Sequence, residues 1–228
     1  SNLKFVPQIR LSVLRKVFSL MGRREKMALA ILLVLTFSSG LYTTNQLLAN
    51  YTETVPAEGG SYSEGIIGQP RFINPLLATS DADQAIVKLV FSGLYRLDSN
   101  GNVTPDLADN FPTISDDGLE YTVKIKANGQ WHDGTPVTAD DVVFTIQTLQ
   151  NQAYNSPRRA DWQSTTVEKI DNNTVKFTLK AASAPFLNNL TLPIISKKVW
   201  GEISPADFVL SQANIEAVGN GPYVIKEV

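Results

Sequence analysis

The only histidine of this 228-residue chain, His132, is followed directly by Asp133. A histidine oriented by a carboxylate can serve as the general base for a serine nucleophile. Neighbouring residues usually point apart, however, and the sequence contains no Gly-x-Ser-x-Gly elbow. We therefore interpret His132 as a turn residue beside a core tryptophan, Trp131, and predict that the chain is not an enzyme. An exported hydrolase is the least favoured alternative, and only His132 supports it.

Acidic residues in pairs could bind a metal ion. Asp81 and Asp83 are too few for a calcium loop, which needs more oxygen ligands at fixed spacing. Asp140 and Asp141 precede an apolar helical pattern, and Thr138 with Asp141 has the spacing of a capping box. The chain has no cysteine and one histidine, which excludes disulfides, thiolate metal sites and multi-histidine centres. No phosphate-binding glycine motif is present. We predict neither a metal nor a cofactor.

Charge is distributed unevenly along the chain. Residues 1–50 carry seven Lys or Arg and one acid, whereas the rest carries 13 bases and 21 acids. A basic N-terminal part (the head) and an acidic remainder (the body) argue against nucleic acid as a partner. They suggest that the head directs the protein to a membrane.

An uncharged segment at 27–48 follows the basic flank at 23–26. Its length is about the twenty residues that a helix needs to span a bilayer, and the flank predicts that the head stays cytoplasmic. We predict a cytoplasmic tail at 1–26, a transmembrane signal anchor at 27–48 and a linker at 49–60. A cleaved signal peptide is the alternative, although the small-residue cleavage sites after the apolar run are imperfect.

Residues 5–21 repeat apolar side chains at helical spacing between basic ones. This pattern predicts either an interfacial helix on the inner leaflet or a weakly structured basic tail.

Residues 61–228 have the pattern of a mixed α and β body with antiparallel hairpins. A helix is predicted over 81–95, with Ser80 or Asp81 as its N-cap, and another after Thr138. The remaining predictions are hairpin turns at 100–101 and 171–173, a strand at 121–126, a short helix opening at 184–190, and strands at 194–195 and 223–228.

Several stretches of the body, taken together and in order, resemble the extracellular solute-binding proteins of the dipeptide and oligopeptide class (family 5), which serve ABC importers. The most specific stretch is 131–144, WHDGTPVTADDVVF. The others are NPLLAT at 74–79, LVFSGLY at 89–95, NGNVTPDLA at 100–108, SDDGLEYT at 115–122, PF at 185–186 and GNGPY at 219–223.

The resemblance implies an α/β fold of the class II periplasmic-binding-protein type, in which two lobes close like a Venus flytrap. The first lobe would comprise 61–91 and 196–228, and an extra small α+β domain would comprise 92–195. Family members usually run to roughly 500 residues, so we expect the chain to end before the second lobe. A membrane helix in place of a lipoprotein cysteine departs from the family pattern and suggests a signal-anchored form.

The resemblance also implies a function in peptide uptake. An extended peptide would lie between the lobes, with ABC permease and ATPase subunits as partners. By likeness, Ala78, Thr79 and Ser80 would offer backbone to the ligand, and Arg158 would either face the ligand or lie on the solvated surface. The alternatives are another solute, such as a nickel complex, haem or an oligosaccharide, or a peptide sensor without transport. The body would lie outside the cytoplasm, held at the cell membrane by the N-terminal helix.

Overall fold

The computed structural model describes residues 18–51, 63 and 65–227. The chain divides into two compact units, residues 1–63 and residues 64–228. The interfacial helix predicted at 5–21 and the linker predicted at 49–60 lie largely outside the described residues.

The first unit contains one long helix, α1, at Arg23–Tyr51. Residues 23–47 of α1 are long and apolar enough to cross a membrane, with a mean hydropathy of 1.7 over the best 18 residues. The hydroxyls of Thr36, Thr43 and Thr44 donate to backbone carbonyls three or four residues earlier. These bonds satisfy the threonine side chains within the helix itself, as an apolar environment requires.

The described residues of the second unit form five further helices and six strands. The helices are α2 at Asp81–Val90, α3 at Ala139–Gln150, α4 at Phe186–Asn189, α5 at Lys197–Trp200 and α6 at Pro205–Phe208. The strands are β1 at Tyr95–Leu97, β2 at Val103–Pro105, β3 at Thr113–Ile114, β4 at Glu120–Lys124, β5 at Thr165–Asp171 and β6 at Thr174–Leu179. Short 3-10 helices lie at Gln152–Tyr154, Arg159–Trp162 and Gln212–Asn214.

The strands form two antiparallel sheets. β1 pairs with β2, and the second sheet has the order β3-β4-β6-β5. Phe177 in the central strand β6 lies opposite Tyr121 on one side and Val167 on the other. Alternate residues of β6 are buried, so one face of this sheet packs on the core beneath α3. Aromatic contacts among Trp162, Phe177 and Phe186 fill that core; Phe186 meets the other two rings edge-to-face, and Trp162 is tilted against Phe177.

Several local sequence predictions are confirmed. Thr138 and Asp141 form a capping box at the start of α3, in which the Asp141 carboxylate accepts both the backbone N–H and the hydroxyl of Thr138. The hairpin between β1 and β2 turns through Gly101 at a φ of 81°, where glycine carries no steric penalty. The β5–β6 hairpin turns at Asp171, whose carboxylate accepts the N–H of Asn173.

Three predicted elements are wrong in extent or type. The helix predicted over 81–95 ends at Val90, because the next residue is extended and Tyr95 pairs with Pro105. Residues 194–195 are not a strand: their N–H groups bond a carbonyl of an irregular segment and a threonine hydroxyl. Residues 223–227 are also irregular, because the chain there bonds the end of α2 rather than a neighbouring strand.

Residues 64–228 form one compact unit in the structure. The division into a first-lobe part at 61–91 with 196–228 and a small domain at 92–195 stays a prediction.

Candidate ligand-binding cleft

A cleft of about 440 Å³ lies between one face of α2, the loop that precedes α2 and a turn at residues 155–158. We call residues 74–80 the Asn-Pro loop and residues 155–158 the Arg158 turn. The residues that line the cleft come from these two segments, from one face of α2 and from the segment after α4: Pro75, Ala78, Thr79, Gln84, Val87, Lys88, Pro157, Arg158, Thr191 and Pro193.

The Asn-Pro loop is built on Asn74, which is fully buried. Its side-chain oxygen accepts the N–H of Leu76 at 2.9 Å, and its carbonyl accepts the N–H groups of Leu77 and Ala78. Asn forms such local turns because its side chain mimics a backbone carbonyl. The Asn74 amide also donates to the side-chain oxygen of Asn214 at 3.1 Å, which ties the loop to the far end of the chain.

Two backbone groups of the Asn-Pro loop are available to a ligand. Neither the carbonyl of Ala78 nor the N–H of Thr79 makes a hydrogen bond within the described part of the chain. Thr79 is exposed, and its carbonyl is already taken by the side-chain amide of Gln84 at 3.2 Å. The two groups belong to one trans peptide bond and point in opposite directions, so a given extended main chain can bond only one of them.

Ser80 and Asp83 fix the transition from the loop to α2. The Ser80 hydroxyl accepts the N–H of Asp83 at 3.1 Å and thereby caps the helix. The Asp83 carboxylate in turn accepts the N–H groups of Arg71 and Phe72 at 2.6 and 3.0 Å. Burial acts to raise the pKa of Asp83, but these hydrogen bonds outweigh it and hold the pKa below its ordinary value.

The Arg158 turn is anchored on two sides. Asn155 adopts the left-handed conformation, with a φ of 49°, which asparagine tolerates better than most residues. Ser156 is buried, and its hydroxyl donates to the carbonyl of Leu76 at 2.7 Å. Just before the turn, Tyr154 packs edge-on against Phe208 with ring centroids 4.8 Å apart. The turn therefore has a fixed position relative to the Asn-Pro loop.

The cleft is electropositive. Lys88 and Arg158 line it, and among the residues that the structure describes no aspartate or glutamate does. Both side chains are exposed, and neither forms an ion pair with any residue that the structure describes. Two unpaired cations that line one cleft favour an anionic group there.

His132 lies outside the cleft and binds backbone through both ring nitrogens. Nδ1 accepts the N–H of Gly219 at 3.2 Å, and Nε2 lies 2.9 Å from the carbonyl of Gly221. Because Nδ1 accepts in this pairing, Nε2 is the ring nitrogen that donates. Asp133 pairs instead with Lys198 at 2.8 Å, and the bonds from Lys198 and Thr135 hold its pKa far below the ordinary value. The arrangement is that of a structural histidine rather than a general base.

Asp141 is a buried carboxylate with a purely structural set of partners. It accepts the N–H groups of Thr138 and Lys197, each at 2.9 Å. Asp140 pairs with Lys169 at 2.5 Å, and the Lys169 hydrogen bond lowers its pKa. Within the described residues, no three histidine, aspartate or glutamate side chains cluster as metal ligands would.

The family model for bacterial extracellular solute-binding proteins, family 5 (middle part), matches residues 102–228. The chain belongs to this family. A curated relative, the oligopeptide-binding protein AppA of Bacillus subtilis, is 34% identical over 217 residues. The solved structure of AppA in complex with a nonapeptide superposes on 72% of this chain and 33% of its own, with a TM-score of 0.68 and 34% identity.

Relatives of this solute-binding protein carry different ligands. The glutathione-binding protein GsiB of Escherichia coli is 32% identical over 154 residues, 66% of this chain. NikZ of Campylobacter jejuni, solved in complex with Ni(L-His), superposes on 71% of this chain and 32% of its own with a TM-score of 0.65 and 33% identity. The chain spans 40% of the length of AppA and 29% of that of GsiB. These neighbours confirm the predicted fold class, an α/β periplasmic-binding-protein type.

The structure brings three of the four residues predicted for the solute-binding site into the cleft: Ala78, Thr79 and Arg158. Ser80 is not among the lining residues, and its hydroxyl is used as the helix cap. That these residues bind a ligand stays a prediction.

Sequence reasoning missed Lys88 and the segment after α4. Gln84 and Lys88 are four residues apart on the polar side of α2, so the helical pattern could have identified them as one face. No local pattern marks Thr191 or Pro193, because the fold brings them to the cleft over about a hundred residues of chain.

Proposed function

We propose that this chain is part of a membrane-anchored, extracytoplasmic solute-binding protein that delivers peptides to an ABC importer. The observation that carries the proposal is the cleft, in which a free backbone acceptor and donor at Ala78 and Thr79 lie beside two unpaired cations. The family and the peptide-binding relative AppA support it. Permease and ATPase subunits are the partners that such a role requires.

The proposed binding mode uses the main chain more than the side chains. An extended peptide pairs with the carbonyl of Ala78 or with the N–H of Thr79, whichever of the two faces the cleft, and a peptide of any sequence can form that bond. Arg158 and Lys88 attract a carboxylate of the ligand, and Ser80 holds the loop in place through its cap. A second lobe then covers the exposed side of the peptide, since closure excludes water from such sites.

A nickel complex is the second candidate ligand, because NikZ was solved with Ni(L-His). Within the described part of the chain, the lining residues include no histidine, cysteine or carboxylate. A nickel ion in this cleft would therefore have to arrive with its own chelator, whose carboxylate Arg158 would hold. Haem, an oligosaccharide and a sensing role without transport also remain alternatives.

The helix α1 supplies the proposed membrane anchor. Its uncharged residues 27–47 follow the basic flank at 23–26, which favours a cytoplasmic N-terminus and an exported body. Within that body, the proposed division keeps 61–91 and 196–228 in the first lobe and 92–195 in the small domain.

Calorimetry on the full-length gene product with a mixed tri- to pentapeptide pool tests this function. Arg158→Ala is expected to weaken binding about tenfold, because a desolvated charge pair is worth more than an exposed one. Arg96→Ala removes an exposed arginine of β1 that does not line the cleft, and it serves as the matched control. Equal affinities of the wild type and Arg158→Ala would remove Arg158 from the site, and no peptide binding at all would refute the proposed function.

A further inference from the structure

Ser156 joins the two walls of the cleft. Its hydroxyl donates to the carbonyl of Leu76 in the Asn-Pro loop and accepts the N–H of Arg158 at 3.4 Å. The first bond spans 80 positions of sequence, and it is the only hydrogen bond between the Asn-Pro loop and the Arg158 turn among the described residues. Ser156 itself does not line the cleft.

Burial makes this bond costly to lose. Ser156 is 7% exposed and Leu76 is 1% exposed, so water has little access to replace the missing partner. Leu76 lies two residues before Ala78, and Ser156 lies two residues before Arg158. A shift at the Ser156–Leu76 contact therefore moves the proposed backbone and side-chain contacts of the ligand relative to each other.

We propose that Ser156 is a positioning residue that sets the spacing between the backbone wall and the Arg158 wall of the cleft. This inference rests on the proposed function and adds a determinant of affinity that does not touch the ligand. The Ser156 hydroxyl contacts both walls, because it donates to a carbonyl of the Asn-Pro loop and accepts an N–H of the Arg158 turn.

The test uses the full-length gene product, the mixed tri- to pentapeptide pool and two variants of similar chemistry. Ser156→Ala is expected to weaken peptide binding five- to tenfold. Thr145→Val removes another buried hydroxyl, which bonds Asp141, 2.7 Å away, and Ile195 but lies outside the cleft lining. It should lose comparable stability yet keep its affinity within twofold. Ser156→Cys, whose thiol donates weakly, should fall between wild type and Ser156→Ala and provides the same test if the alanine variant does not fold.

A double-mutant cycle distinguishes an effect of Ser156 through the position of Arg158 from a general loss of peptide affinity. In an Arg158→Ala background, Ser156→Ala should change affinity by less than twofold, because the side chain that it positions is gone. Deuterium exchange without ligand should rise at 76–79 and 155–159 in Ser156→Ala, and at neither segment in Thr145→Val.

Three results would overturn the inference. Ser156→Ala could bind like the wild type, Thr145→Val could lose as much affinity as Ser156→Ala, or the two segments could keep their exchange rates. In each of these the wild type still binds peptide, so the proposed function survives. A wild type that binds no peptide would instead refute the proposed function and, with it, the role of Ser156.

Discussion

The side chains of Asn74 and Asn214 meet in the core, with the amide nitrogen of Asn74 3.1 Å from the oxygen of Asn214 across 140 positions of sequence. Asn214 also donates to the carbonyls of Phe208 and Val209, and its own carbonyl accepts the N–H of Ile73. Both asparagines are almost fully buried. The Asn-Pro loop, which forms one wall of the cleft, is thus held in place by the 3-10 helix at Gln212–Asn214.

Replacing Asn74 tests how much its contact with Asn214 contributes to the free energy of unfolding. Asn74→Ala removes the turn bond to Leu76 and leaves the oxygen of Asn214 without its partner, which should lower the free energy of unfolding by about 2–3 kcal/mol. Asn188→Ala is the control, because that side chain is exposed and makes no hydrogen bond within the described residues; it should change stability by less than about 0.5 kcal/mol. Urea unfolding measures both. Equal stabilities of the two variants would contradict the role given to Asn74.

Gly219 allows the chain to pass directly over the end of α2. A Cβ at this position would lie 1.9 Å from the carbonyl oxygen of Val90, which is backbone and cannot move aside cheaply. Gly219→Ala should therefore destabilise the protein by about 3 kcal/mol or more. Gly65→Ala, whose Cβ would meet nothing within 4 Å, should be nearly neutral. Thermal unfolding compares the two, and a Gly219→Ala variant as stable as Gly65→Ala would show that the segment does not cross α2 so closely.

His132→Gln separates a structural histidine from a catalytic one. Glutamine can keep only part of the bonding to Gly219 and Gly221, so stability should fall by about 1–2 kcal/mol. Peptide affinity should stay within a few fold, and neither protein should hydrolyse peptides. Measurable hydrolysis by the wild type that disappears in the variant would revive the hydrolase alternative.

Residues 23–47 are expected to keep the protein in the membrane. Membrane fractionation followed by N-terminal sequencing should find a chain that retains this segment and resists extraction at high pH. Leu33→Arg places a charge near the middle of the apolar run, at a cost of about 3 kcal/mol, and should reduce membrane integration. A released product that starts near Asn50 would show that the segment is a cleaved signal peptide.

The sequence predicted the elements whose causes are local. The Thr138 cap, the turn at Gly101 and the hairpin at Asp171 each depend on residues within a few positions of one another. Residues 194–195 and 223–227 were predicted as strands because short apolar runs do not reveal whether their N–H groups meet a strand or the end of a helix. The bond between Ser156 and Leu76 has no local pattern at all, because the fold alone brings the two residues together. The candidate site residues were accordingly predicted from the family resemblance. Only the structure showed that Lys88 lines the same cleft.

A direct comparison of two ligand classes decides whether the cleft belongs to a peptide-binding protein. Calorimetry on the full-length gene product would compare the mixed tri- to pentapeptide pool with nickel in the presence of L-histidine. We predict peptide binding in the micromolar range or tighter, about −8 kcal/mol, and no saturable heat from the nickel complex. Saturable binding of the nickel complex with no response to peptides would contradict the account.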